Sequence, residues 1–379
     1  MKKLNVIAAA LGWETIERSG SAAIGDIKFE PKESVFPAVT SVAQASLRTG
    51  ATPLEHGVIS NGFWFEDLKK PMFWEQSAAL VKGSRVWDSF RANGGRIGLY
   101  FFQQSLGENV DVVVSPAPIH AHDGSLIMNC YAKPSDISQE LNRRIGEFSL
   151  HRYWGPLASP KIGREVIDWF EGSLELWDVD EAYLYLPTLD YPAQKYGPGS
   201  KADRKAFLEF EQQILRLQKI CDRKGAAMSV EGDYNITAVT LPEVMPNVVL
   251  RREGFFNVRM VGRCAYPDFY SSKAFAVCDH EYCFLVGEER AKAAELLLAT
   301  GDFVMAEKVS EAYPLLLAKE GSACSYKWWT SWREAPDYAS HVDIHNKPGY
   351  DPKELFFFNF GRVKGTHGRR SIVASSVQA

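Results

Sequence analysis

Cysteine is scarce and scattered, with six residues in 379 (positions 130, 221, 264, 278, 283 and 324) and no CxxC pair. That usage suits a reducing compartment and buried thiols. Apolar runs stay well short of the roughly 18 residues of a membrane span. Basic charge is not in excess, since 43 Lys and Arg against 47 Asp and Glu leave a net charge of −4. No overall field therefore draws the chain to a nucleic-acid polymer or an acidic membrane, and a small substrate fits better. Low-complexity tracts, internal repeats, a Gly-rich phosphate loop, a dinucleotide fingerprint and a Ser-hydrolase elbow are all missing. What is present is a globular composition, 46% hydrophobic and 24% charged, in a chain longer than the roughly 250–300 residues at which single cores stop growing. It is either one large α/β unit with insertions or two domains.

Met1 to Gly12 pairs two lysines with a short apolar stretch, and Gly20-Ser21-Ala22-Ala23 offers a small-residue cluster, so a secretory signal has to be weighed. Asn5 interrupts the stretch, and Glu14 and Glu17 separate it from any cleavage site. A buried first strand over Leu4 to Ala10 is the better reading, with a cytoplasmic location by default. Further apolar strands are expected at Ile97 to Phe102, Val110 to Val114, Glu181 to Leu186, Ala226 to Val230 and Ala274 to Val277. Helices are expected over Phe73 to Ala92, Lys201 to Lys224 and Glu288 to Thr300, with Gly225 as a C-cap. Alternation of the two predicts a mostly parallel sheet covered by helices. Residues 115–160, rich in proline and aromatics, read as a cap-like insertion in a single domain spanning 1–379. Phe356-Phe357-Phe358 reads as a last core strand.

The most informative segment runs Phe36-Pro37-Ala38-Val39-Thr40 to Arg48-Thr49-Gly50 and on to Glu55-His56-Gly57-Val58 and Asn61-Gly62. A turn from a strand end into a helix start would set the Thr40 hydroxyl among backbone N–H groups at the positive end of a helix dipole, a place for an oxyanion or phosphate. On chemistry alone a turn or capping threonine is the simpler reading.

The pattern resembles the nucleophile segment of the type I phosphodiesterase/nucleotide pyrophosphatase branch of the alkaline phosphatase superfamily. Thr40, Thr49-Gly50, Pro53, His56-Gly57 and Asn61 fill the corresponding positions. The resemblance implies an alkaline-phosphatase-like three-layer α/β/α sandwich with cap insertions. It also implies a metal-dependent hydrolase of a phosphodiester or other organic phosphate, in which Thr40 is the nucleophile and Asn61 holds a phosphate oxygen, helped by Gln44.

Two divalent metal ions (Zn, Mn or Mg) go with that implication. Leu186-Pro187-Thr188-Leu189-Asp190 to Gln194 resembles a metal-binding motif in which Asp190 matches a ligand and Gln194 stands where the family has histidine. An amide oxygen is a poorer zinc ligand than imidazole. Glu231-Gly232-Asp233-Tyr234 sits where the family reads Ser-Asp-His, so Asp233 matches and Tyr234 does not. A bacterial subgroup of alkaline phosphatase family proteins is similar to this chain at both departures. Gly365-Thr366-His367-Gly368 resembles the family's Gly-Thr-His-Gly, which makes His367 a ligand. His280 and His345 are candidates to replace the missing histidines, with ordinary hydrogen-bonded roles as the other reading, and His341 looks like a surface residue. The aspartate expected after the first strand has no counterpart, because Asn5 lies within the strand and Glu14 beyond Gly12.

His120-Ala121-His122-Asp123-Gly124 is read as a turn in the cap. Phe63-Trp64-Phe65, Tyr153-Trp154 and Trp328-Trp329 suit core packing first and stacking on a substrate second. The rival readings are a non-catalytic ligand-binding relic of the same fold, and a phosphonate or sulfate-ester hydrolase.

Overall fold

The structure is a computed structural model that describes residues 1–120, 126–154, 157–335 and 364–377. The apolar run after the two lysines forms the strand Lys3–Ala8 in the middle of a nine-stranded sheet. From one edge the order is Cys130–Lys133, Val112–Pro116, Ile97–Tyr100, Glu181–Leu186, Lys3–Ala8, Ala227–Gly232, Ile372–Ser376, Ile27–Glu33 and Ala23–Ile24. The five strands from Val112–Pro116 to Ala227–Gly232 are parallel, and both margins are antiparallel.

Alternation of side chains along the strands assigns the two faces. Tyr100 lies beside Leu184 and carries Phe170 edge-on at 4.9 Å, so the helix Ile162–Leu176 covers that face. The helix Lys201–Lys224 packs beside it through Phe207, Phe210, Ile214, Leu217 and Ile220, and Gly225 closes it with φ 62°. Tyr183 points to the other face, where Trp87 meets it at 5.0 Å.

A second core surrounds an antiparallel four-stranded sheet, ordered Phe275–Asp279, Tyr282–Val286, Leu315–Ala318 and Phe303–Met305, with the helices Arg290–Ala299 and Pro246–Arg252 against it. The strand expected near Ala274 to Val277 therefore exists, but it belongs to this sheet. An apolar run reports burial, and does not report which partner buries it. The helix expected over Phe73 to Ala92 does not form. Lys70–Phe73 is a strand paired with Gly62–Phe65, Trp74 turns the chain at φ 61°, Gly83 turns it again at φ 87°, and only Asp88–Ala92 is α-helical. The buried apolar positions there (Phe73, Ala78, Val81, Trp87) fall at uneven spacing, which no single helix face can satisfy. Ile97–Tyr100 also stops short of Phe102, because Phe101 adopts φ 63°.

Within residues 115–160 the chain forms the short antiparallel pair Ile119–His120 and Leu126–Ile127, then the edge strand Cys130–Lys133 and the helix Ile137–Arg144, so part of the expected cap is sheet margin. Phe356 to Phe358, His341 and His345 lie outside the described residues, as do His122, Asp123 and Gly124. Among the described residues no helix is long and apolar enough to cross a membrane.

His56 ends the short helix Pro53–His56, fully buried. Val58 N–H donates to its Nδ1 at 3.1 Å and its Nε2 faces Ser46 Oγ at 2.9 Å. Nδ1 is thus an acceptor, and protonation would break that bond. Burial, aided by the charge of Arg48, pushes the imidazole pKa down to about 4. The unfolded chain takes this proton near pH 6.5, the folded chain only near 4. Stability contributed by neutral His56 is therefore complete above pH 6.5, falls as pH drops from 6.5 to 4, and then levels off. Urea midpoints measured between pH 7.5 and 4 should show this decline, and His56→Asn should flatten it; equal slopes in the two proteins would refute it.

Candidate functional site

Register builds the site. Ala8 pairs with Leu186 on one side and with Gly232 on the other, so the three central strands end level. The segments that leave them, Ala9-Ala10, Pro187 to Asp190, and Asp233-Tyr234, emerge side by side at the carboxyl edge, where open parallel sheets place their ligands.

Thr40 is the first residue of the helix Thr40–Thr49, after an extended Val39, and Gly50 terminates that helix at φ 66°. Asn61 Oδ1 accepts from Ser41 N–H at 3.0 Å and caps the helix from outside. Asp279 holds Asn61 in turn. Its carboxylate, fully buried, accepts from Asn61 N–H (2.7 Å), Asn61 Nδ2 (3.2 Å), Ser60 Oγ (2.8 Å) and the Tyr282 hydroxyl (3.2 Å). Asn61 thus positions the helix start. Gln44 Oε1 is bound by Gln103 N–H at 2.7 Å, and Arg48 is buried against Gln104 O and Glu108.

The Thr40 hydroxyl donates to the Tyr234 hydroxyl at 3.4 Å, and Tyr234 donates to Asp190 Oδ1 at 3.0 Å. Gln194, one turn along the helix Asp190–Tyr196, also donates to Asp190 Oδ1. Asp233 accepts from Ala10 N–H at 3.0 Å and from the Tyr185 hydroxyl at 2.9 Å. Burial, with the Asp190 charge added, raises the Asp233 pKa to about 8 despite those bonds. Burial likewise pushes the Tyr185 and Tyr234 phenols well up, so both serve as neutral donors. Behind Tyr234 the His367 ring stacks at 3.9 Å and 5°, and His280 lies over His367 at 3.6 Å. His280 sits at the two-residue turn joining Phe275–Asp279 to Tyr282–Val286, at φ 55°, and the next residue, Glu281, donates its N–H to His367 O.

Thr40, Asp190, Gln194, Asp233, His280 and His367 are therefore brought into one region, while His345 lies outside the described residues. The sequence reading missed three partners. Tyr234 was visible only as a departure from a ligand position, Asp279 stood unremarked beside His280, and Tyr185 lay inside a strand.

Among the described residues the donor set does not fit the two-metal site that the resemblance implies. The first strand leads into Ala9 and Ala10, with no carboxylate, and it is the Ala10 N–H that meets Asp233. Asn5 lies back in the strand beside Tyr183 and Ser229, and Glu14 is exposed beside Arg18. Asp190 Oδ1 already receives two donors, and a phenol stands between it and Thr40. Among the described residues no group of three His, Cys, Asp or Glu side chains is placed to hold a metal ion.

The sequence model of type I phosphodiesterase/nucleotide pyrophosphatase matches residues 26–351. The chain belongs to that family. Solved structures agree on the fold. Phosphonoacetate hydrolase from Sinorhizobium meliloti 1021, in complex with phosphonoformate, aligns with a TM-score of 0.60 at 13% identity, over 99% of this chain and 89% of that one. Murine ectonucleotide pyrophosphatase/phosphodiesterase 5 aligns at 0.54 and 12% identity, over 99% and 88%. An inactive variant of the murine protein in complex with AMP aligns at 0.55 and 12%, over 99% and 87%. No curated protein matches the sequence. The large, mostly parallel α/β sheet is what this chain shares with those structures.

Removing Asn61 tests the scaffold. Asn61→Ala deletes the cap on Ser41 N–H and one donor to a buried carboxylate, so unfolding free energy should fall by about 2 kcal/mol. Chemical denaturation checks this, and a loss below about 0.5 kcal/mol would show that the clamp is not structural.

Proposed function

We propose that the chain hydrolyses a small organic phosphate, preferring a phosphodiester, with Thr40 as the nucleophile. The observation that carries the reading is the hydrogen-bond chain from the Thr40 hydroxyl through Tyr234 to Asp190, set at a helix N-terminus. Thr40 Oγ1 attacks phosphorus, the Oγ1–P bond forms, and the bond from phosphorus to the departing ester oxygen breaks. The Thr40 proton passes to the Tyr234 oxygen as the Tyr234 proton passes to Asp190, and the departing alkoxide takes a proton from water. In the second half a water oxygen attacks phosphorus and gives one proton to the hydroxide left when the alkoxide was protonated, the Oγ1–P bond breaks, and the proton on Asp190 returns through Tyr234 to Oγ1. Negative charge developing on the phosphoryl oxygens faces the positive end of the Thr40 helix. Asn61 and Asp279 fix that helix start.

The metal-dependent version of this reading takes Asp190, Gln194, Asp233, His280, His345 and His367 as the candidates to hold Zn, Mn or Mg, and differs in one measurable respect. Activation through Tyr234 leaves turnover insensitive to chelation, whereas activation by a metal makes it chelator-sensitive. The rival relic reading is motivated by Ala9-Ala10, Gln194 and Tyr234 at positions where the resemblance expects ligands.

Hydrolysis of a chromogenic phosphodiester and its matching monoester, with Mn²⁺, Zn²⁺ or Mg²⁺ and after chelation, decides among these. Thr40→Ala should abolish turnover. Tyr234→Phe keeps the ring stack on His367 and should lower kcat by about 10² to 10³ with little change in KM. Turnover that survives Thr40→Ala would sink the nucleophile assignment, and no turnover under any condition would favour the relic.

A further inference from the structure

Beside the helix Asp190–Tyr196 lies a groove of ≈ 360 Å³ that the chemistry at Thr40 does not use. Three elements wall it: residues 158–161 ahead of the helix Ile162–Leu176, the helix Asp190–Tyr196 itself, and the first turns of Lys201–Lys224. Ala202 and Ala206 stand one turn apart on the last of these, and their small side chains leave the space open. Tyr191 lines both this groove and a cavity of ≈ 90 Å³ lined by Thr40 and Asp190, so the two are neighbours across one side chain.

Each wall brings one lysine to the groove: Lys161, Lys195 and Lys205. They come from three elements, so the amphipathic pattern of no single helix accounts for their meeting. Lys161 and Lys205 are exposed and in no ion pair among the described residues, and Lys195 Nζ lies 5.4 Å from the centroid of the Tyr196 ring. Among the described residues of the lining one is acidic, Glu209. Arg164 already holds both of its oxygens, at 2.6 and 2.5 Å, with the charge of Lys161 acting on it as well. The groove therefore gathers positive charge in a chain whose net charge is −4. Like charges set in a concave wall repel each other and focus a potential that draws an anion in. No arginine is among the described lining residues, so the flat fork that matches a carboxylate is missing, and three ammonium point charges from three directions suit a tetrahedral group. The volume lies within the roughly 300–1,000 Å³ of small-molecule sites.

From this we infer that the groove is a second binding site, for a compact phosphate-bearing anion with at least two negative charges. The inference goes beyond the hydrolytic reading and takes nothing from it.

Calorimetry on the intact protein at low salt, with inorganic pyrophosphate and with citrate, tests it. Pyrophosphate should bind at one site per chain and more tightly than citrate. The double variant Lys161→Glu with Lys205→Glu should weaken pyrophosphate at least about tenfold, and Lys205→Gln alone should weaken it less. Both side chains are exposed, and circular dichroism checks that the variants stay folded. Pyrophosphate that binds the double variant as it binds the unmutated protein sits elsewhere, and overturns the inference. Citrate binding as tightly as pyrophosphate, or heat with no defined stoichiometry, overturns it too, and these comparisons need no variant. Pyrophosphate binding lost on charge reversal in a protein with no turnover would sink the hydrolytic reading alone, whereas turnover without such binding would sink this inference alone.

Discussion

The buried carboxylate of Asp279 is the constraint on which the site depends. It belongs to the second sheet, yet its four donors come largely from the Ser60-Asn61 turn, and Asn61 then caps the helix that begins with Thr40. A carboxylate buried this deeply is tolerable only when its oxygens are satisfied. Satisfying them fixes the distance between the antiparallel sheet and the helix start. The hairpin turn that follows Asp279 adds a second tie, through Glu281 N–H to His367 O. The position of Thr40 is therefore tied to both cores at once.

Across the site the parallel sheet contributes level strand ends, and what varies is the chemistry hung on them. Where the resemblance implies a histidine ligand, the chain has Tyr234, whose ring is held by stacking on His367 and whose hydroxyl reaches both Thr40 and Asp190. A phenol in that place offers a donor to the carboxylate and an acceptor to the threonine hydroxyl. The substitution at Gln194 fits the same logic, because its amide also donates to Asp190. The two departures compensate each other, as neighbours in one hydrogen-bond network are expected to.

Much of this fold was legible in the sequence. The central strands announced themselves as continuous apolar runs, and Lys201–Lys224 as an amphipathic period closed by Gly225, since both signals are local. Phe73 to Ala92 misled because apolar content was visible while the left-handed turn at Trp74 was not. Phe275–Asp279 was legible as a strand but not as part of a second sheet, because pairing is a long-range property. The site divides the same way. Thr40, Asp190, Asp233 and His367 follow from motif order, whereas the role of Tyr234 requires knowing which atom its hydroxyl meets. Asp279 was hidden by its neighbour, the histidine beside it being the residue whose type draws attention.

Two carboxylates, Asp190 and Asp233, lie buried beyond the ends of the two strands that flank Lys3–Ala8, beside a cavity whose described lining holds no basic side chain. Hydrogen bonds do part of the work: Tyr234 and Gln194 on Asp190, Ala10 N–H and Tyr185 on Asp233. They do not neutralise charge, and burial, with the Asp190 charge added, raises the Asp233 pKa to about 8. Among the described residues that line it, the cavity is short of positive charge and not of negative. An anionic phosphoryl group approaching it alone meets repulsion from Asp190, which the helix dipole offsets only in part.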